Sequence, residues 1–195
     1  MKRLLMSACL LLSAACSPLV ARPPAPALHD LGSVRATLNV TPALRDIEVR
    51  APSWLEGTAM YYRPGYESET RRDTYAGSRW TAAPAELLSV ALRRMLDGAG
   101  TGTAPACRLR LEVDEFIQHF DRPDDSRVLV AGRAALVDAR GQRVLARLPF
   151  SISEPAKSAD AAGGVAALAH AVDTLGVQLA AWLNSSLVKD VRDGC

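Results

Sequence analysis

Between Cys107 and Phe150 the chain alternates apolar and charged residues in three successive runs separated by tight turns, and this pattern limits the fold more than any other stretch. Leu109, Leu111 and Val113 alternate with Arg108, Arg110, Glu112 and Asp114, the period-two signature of a half-buried strand. Phe116 resumes the apolar positions out of step, so the parity change at Asp114 and Glu115 predicts a β-bulge. Residues 121–126, rich in aspartate and holding Pro123, predict a turn, and residues 128–137, apolar on both faces, a strand in the middle of a sheet. Asp138-Ala139-Arg140-Gly141 is a second tight turn. Val144, Ala146, Leu148 and Phe150 then alternate with Arg143, Leu145 and Arg147 in a third strand. Three strands joined by such short turns make an antiparallel meander.

A sheet of this kind needs a cover. After Pro155, Val165, Leu168, Val172, Leu175, Leu179 and Leu183 recur every three or four residues, one apolar stripe on a helix predicted over about 160–188. The small residues Gly163, Gly164, Ala166, Ala167, Ala180 and Ala181 let this helix approach a sheet or another helix closely. Its first role is to cover the sheet, the alternative is an oligomer-forming helix, and both can hold with one stripe packed inward and Trp182 and Leu187 available to a partner.

The first half supplies shorter elements. Leu28 to Gly32 reads as a brief strand or turn at the domain entrance, and in 44–50 Ile47 and Val49 alternate with Asp46, Glu48 and Arg50 as a half-buried strand. Pro52 breaks it, and a second strand is predicted over 59–63. The polar stretch between Pro64 and Ser78 reads as a hairpin or mobile loop with its charges in solvent. Pro84 suits a first helical turn, Leu87, Leu88, Ala91, Leu92, Met95 and Leu96 repeat at helical spacing, and Asp97-Gly98 ends that helix. Most of the large rings of an aromatic-poor chain gather beside arginines here. Tyr61, Tyr62, Arg63, Arg79 and Trp80 are the candidate partner-binding residues, since rings and guanidiniums together suit stacking and docking better than bond-breaking chemistry.

Ahead of the domain lies an export signal. Lys2 and Arg3 precede the apolar run 4–12, and Ser13-Ala14-Ala15 lead to Cys16. The run is too short to span a bilayer as a stable helix. Small residues directly before a cysteine resemble the box of bacterial lipoproteins, in which cleavage leaves the cysteine first and lipidated; Ser13 stands where an aliphatic residue is usual, and the alternative is a plain signal peptide cut nearby. Ser17, rather than aspartate, resembles the signal for delivery to the outer membrane, with the body facing the periplasm. This divides the chain into a signal peptide at 1–15, a lipidated cysteine and proline-rich tether at 16–27, and a domain at 28–195. Once Cys9 leaves with the signal and Cys16 takes lipid, Cys107 and Cys195 remain, which allows one disulfide worth on the order of 4 kcal/mol or, alternatively, two free thiols.

Composition and motifs exclude several classes. A length of 195 residues, 49% of them hydrophobic, fits one domain with extras, and 23 basic against 21 acidic residues mixed along the chain leave no basic stripe for nucleic acid. His29, His119 and His170 lie far apart without metal-ligand spacing. Gly98, Gly100 and Gly102 follow a helix instead of preceding one, so they form no phosphate cradle. Asp114, Glu115 and His119 look like acid and base, but neighbouring strand residues point to opposite faces. No enzyme, metal or cofactor is expected.

The ordered set of Cys16 with its tether, Leu31-Gly32, Tyr62-Arg63, Arg79-Trp80 before Pro84, Leu111 to Phe116, Val130-Ala131-Gly132, Gly141, Leu148-Pro149-Phe150 and Trp182-Leu183 resembles the auxiliary lipoprotein components of ABC-type transporters, the group that includes paraquat-inducible protein C. The resemblance covers nearly the whole mature chain. It departs at Ser13, at the charged loop between Arg63 and Arg79, and at Cys195. It implies a single α/β domain, a mixed sheet with an antiparallel C-terminal meander packed by two main helices, similar to the N-terminal domain of TolB. It also implies a non-catalytic accessory of a transport system, with an MCE-domain protein and an ABC permease and ATPase as partners, phospholipid or other hydrophobic cargo, and homo-oligomers. The alternative is an envelope scaffold or assembly lipoprotein unconnected with a transporter.

Overall fold

The structure, a computed structural model, describes residues 24–33, 36–41, 43–96, 107–189 and 195. The signal at 1–15, Cys16, the tether through residue 23 and the glycines at 98, 100 and 102 lie outside the described residues. The fold is a mixed α/β domain whose sheet holds seven strands among the described residues.

Its spine is β5, Cys107–Arg122, a strand of 16 residues. One edge pairs antiparallel with β6, Asp125–Val137, along nearly its full length, and β6 pairs in turn with β7, Val144–Pro155. The other edge of β5 is divided. β2, Leu44–Arg50, runs parallel to its first half, from Leu44 opposite Cys107 to Arg50 opposite Glu112. β3, Ala59–Pro64, runs parallel to its end, with Tyr62 opposite Gln118 and Pro64 opposite Phe120. Beyond β3 come β4, Asp73–Trp80, antiparallel, and then β1, Ala27–His29, parallel to β4 at the edge. Between the two halves of β5 sits the expected bulge: Val113 pairs with Gly132 and Glu115 with Ala131, leaving Asp114 as the additional residue.

Two helices cover one face of the sheet. In α1, Pro84–Leu96, the proline occupies the first position and Leu88, Leu92, Met95 and Leu96 are buried. In α2, Ala161–Leu183, Leu168, Val172, Leu175 and Leu179 are buried against the sheet. α2 is long and apolar enough to cross a membrane, yet half of its most apolar stretch is buried in the domain. Asn184 ends it: its side-chain amide donates to Asn39 O at 2.8 Å and its carbonyl accepts from Thr41 N and Thr41 Oγ1, both at 2.7 Å. The helix predicted to reach 188 is thereby interrupted, and the short α3, Ser186–Lys189, follows.

A buried polar chain fixes the start of α2. Tyr75 Oη donates to Gln118 Oε1 at 2.8 Å, and Gln118 Nε2 donates to Ser126 Oγ at 2.8 Å, so this glutamine, 2% exposed, is satisfied across three strands. Burial pushes the Tyr75 hydroxyl well above the usual tyrosine range, with Tyr62 and Asp160 adding to it. Gly164 packs directly on Gln118: a Cβ there would collide with Oε1. Gly132 does the same within the sheet, where a Cβ would collide with the carbonyl oxygen of Glu112. Cys107 and Cys195 are joined as a disulfide, their Cα atoms 4.8 Å apart and their positions 88 residues apart, so it ties the last residue to the start of β5.

Of the two readings of the stretch between Pro64 and Ser78, the structure has the hairpin: β4 begins at Asp73 and pairs antiparallel with β3. The meander is one part of a mixed sheet, as expected.

The N-terminus of α2 supplies a pH-dependent contribution. The Gly163 N–H donates to Asp160 Oδ1 at 2.8 Å and the Ser158 hydroxyl donates to it at 2.8 Å, which together hold this carboxyl below the usual aspartate range. A native pKa depressed below the unfolded one stabilises the fold above the unfolded pKa and loses that contribution as pH falls through the native value. Asp160→Ala is therefore expected to lower stability at neutral pH, and its deficit against the wild type to close as pH drops below about 4, as read by urea unfolding across pH.

Candidate functional site

Opposite the helices the sheet presents a face carrying charge. Strand alternation sends Met60 and Phe116 to the core and places Tyr61, Arg63 and Glu115 on this outer face. Arg63 Nη2 lies 3.3 Å from Glu115 Oε1, and Arg72 Nη2 donates to the same oxygen at 2.5 Å. The Arg72 guanidinium lies 3.8 Å from the centroid of the Trp54 ring, and Trp54 meets Tyr61 edge to face at 5.6 Å. Pro52, at the N-cap of a 3-10 turn over Ser53–Leu55, starts the turn that holds Trp54 beside β3. Two guanidiniums thus share one carboxylate, leaving a net positive charge pinned on an aromatic shelf. Such a cluster can stack on rings and pair with anionic groups.

The charge continues across the sheet. Glu48 on β2 accepts from Arg110 Nε on β5 at 3.1 Å and lies 2.6 Å from Arg50 Nη2, and Arg133 on β6 donates to Glu112 at 3.1 Å. Burial raises the Glu48 pKa, but the hydrogen bonds from Arg50 and Arg110 outweigh it and hold the carboxyl below its ordinary range. At the far end of β5, His119 sits with Nε2 3.4 Å from Glu69 and Nδ1 3.2 Å from Asp121, and His170 Nδ1 lies 3.3 Å from Glu154. Among the described residues no group of His, Cys, Asp or Glu could hold a metal ion.

The five candidate partner-binding residues do not converge. Tyr61 and Arg63 join the outer cluster. Tyr62 points to the helix side, 4.7 Å from Tyr75 and 5.6 Å from Phe120 between ring centroids. Arg79 folds back, its Nη1 donating to the carbonyls of Tyr75 and Ser78 on its own strand. Trp80 is corrected outright: it is 2% exposed, its ring 5.5 Å from Phe116, and belongs to the core. Sequence reasoning missed Trp54, Arg72 and Glu115. Arg72 lies in the stretch that reads as a solvated loop, and nothing local to its sequence neighbours says that the loop returns over a tryptophan 18 positions earlier.

The domain is thus a mixed seven-stranded sheet, counted among the described residues, with two covering helices and a charged, aromatic outer face. The family model for the ABC-type transport auxiliary lipoprotein component matches residues 32–180, and the chain belongs to that family. The family is an auxiliary component of ABC transport systems, not an enzyme family, and a lipoprotein family implies a membrane-anchored place in the envelope. No curated protein matches the chain. Among solved structures, one is similar with a TM-score of 0.68 and 20% identity over 84% of this chain and 98% of the other: a protein from Xanthomonas campestris of the family DUF330. Another, of an uncharacterized protein, has a TM-score of 0.60 and 18% identity over 80% of this chain and 97% of the other. At these identities the likeness concerns the fold.

Trp80→Ala is expected to cost about 3–5 kcal/mol of stability, because the ring is enclosed by the core. Thermal unfolding checks this, and a variant as stable as the wild type would contradict the packing described.

Proposed function

We propose that this chain is a non-catalytic outer-membrane lipoprotein, anchored through lipid on Cys16, reaching into the periplasm on its proline-rich tether and serving an ABC/MCE-type system that moves phospholipid or other hydrophobic cargo. The observation that carries this reading is the family match over most of the domain. The docking face is the outer cluster, with Tyr61 and Arg63 joined by Trp54 and Arg72. Its partner is the MCE-domain protein or the permease and ATPase of the same system. A disulfide between Cys107 and Cys195 fits the oxidising periplasm.

The deciding experiment is a pull-down from detergent-solubilised envelopes with the full-length protein as bait, read by mass spectrometry. Recovery of an MCE-domain protein with its permease or ATPase supports the transport reading; recovery of a different envelope complex supports the scaffold alternative instead. Arg72→Ala, which removes the stacked guanidinium without opening the core, should reduce recovery of the partner about fivefold, a loss of about 1 kcal/mol. Cys16→Ser should move the protein from the membrane fraction to the soluble fraction, and an unchanged membrane fraction would refute the anchor.

A further inference from the structure

The outer face carries a second group of arginines, at the start of β5 and ahead of the bulge. Arg108 and Arg110 alternate with the buried Leu109 and Leu111 and so face outward. The register sets Arg147 of β7 in the same row as Arg110, with Ala135 of β6 between them. Neighbouring strands lie about 4.8 Å apart, so the Cα atoms of Arg110 and Arg147 stand about 10 Å apart over a floor that is a single methyl group.

The turn from β6 to β7 closes over this row. Gly141 has a φ of 73°, a conformation that glycine adopts freely, and a Cβ built on it would stand 3.5 Å from Arg108 Nη1 and 3.9 Å from Arg110 Nη2. Two guanidiniums thus reach one turn residue that puts no side chain between them. Their charges are not cancelled. Arg110 meets Glu48 through Nε at 3.1 Å, and Arg50 shares that carboxylate. Arg108 and Arg147 form no ion pair with any described residue, and Arg108 Nε is withdrawn from solvent without an acceptor among them. The other carboxyl here, Asp138, is taken up by the turn: it accepts from Gln142 N at 2.8 Å and Arg143 N at 3.2 Å, bonds that hold it below the usual aspartate range. Arg140 and Arg143 are exposed in the same turn and add to the positive field. A carboxylate would neutralise one of these cations. A phosphoryl group brings up to two charges and three strong acceptor oxygens, which suits guanidinium forks at neighbouring positions.

We propose that Arg108, Arg110 and Arg147, with the turn at Gly141, form a binding site for a phosphoryl group, carried by a lipid headgroup or as free phosphate. The site goes beyond the transport reading and does not depend on which partner the pull-down recovers.

The test uses the full-length protein in an uncharged maltoside detergent at about 0.1 M sodium chloride, where long-range attraction is screened. Inorganic phosphate, acetate and dihexanoyl phosphatidic acid are the probes, read by isothermal titration calorimetry. Phosphate is expected to bind at least about tenfold more tightly than acetate, and Arg108→Gln and Arg147→Gln each to weaken it about tenfold. Arg94→Gln, which removes the same charge from α1 across the sheet, is expected to leave binding unchanged. Arg147 is exposed, so its variant leaves the core intact, and circular dichroism checks both folds. Phosphatidic acid separates the two sources. Tighter binding than inorganic phosphate, with the same loss in both variants, assigns a lipid headgroup; binding no tighter assigns free phosphate. No binding of either phosphoryl probe at about 10 mM overturns the proposal. So does binding that is indifferent to either arginine variant, binding weakened equally by Arg94→Gln, or acetate bound as tightly as phosphate.

Discussion

The fold depends on how β5 divides its hydrogen bonds. One edge of this strand is committed to β6 over nearly its whole length, and the other is shared between β2 at its start and β3 at its end. A strand of 16 residues is needed to host both. The bulge at Asp114 lies between the two partners, adds local twist there and turns Glu115 to the outer face while Phe116 enters the core. Without the extra residue, a continuous alternation would exchange the faces of everything from Glu115 to Phe120.

From this follows the position of the arginine–aromatic cluster. Glu115, just past the bulge, becomes the common acceptor for Arg63, delivered by β3, and Arg72, delivered by the turn into β4. Their side chains are 20% to 28% exposed, so the charges are partly desolvated and held in one geometry, unlike the ion pairs at the rim such as Arg122 with Asp125. A guanidinium already stacked on Trp54 loses little freedom on binding, the condition under which aromatic and arginine anchors contribute most to docking. The opposite side of the sheet is occupied by helices whose inner faces are apolar.

Much of this organisation is legible in the amino-acid sequence. Periodicity located β2, β5, β6, β7 and both long helices, and the parity change at Asp114 and Glu115 marked the bulge, because side-chain alternation and the 3.6-residue turn are local properties of the backbone. β4 escaped for an equally local reason. Its pairing with β3 is irregular: Ala59 lies opposite Arg79 but Tyr61 lies opposite Thr74, so five positions on β4 match two on β3. Tyr75 and Trp80, of opposite parity, consequently both face inward, and no period-two pattern survives to announce the strand.

The sequence by itself determined the class of each well-formed element and the absence of any recognisable catalytic motif, both of which rest on neighbouring residues. Only the tertiary structure decided that β2 and β3 share one edge of β5, that Trp80 is core, and that Arg72 lies over Trp54 beside Glu115. Periodicity tells which residues share a side of their own strand. It does not tell which side meets the helices, which edge finds which partner or where a loop returns, since those are settled by contacts between residues distant along the chain.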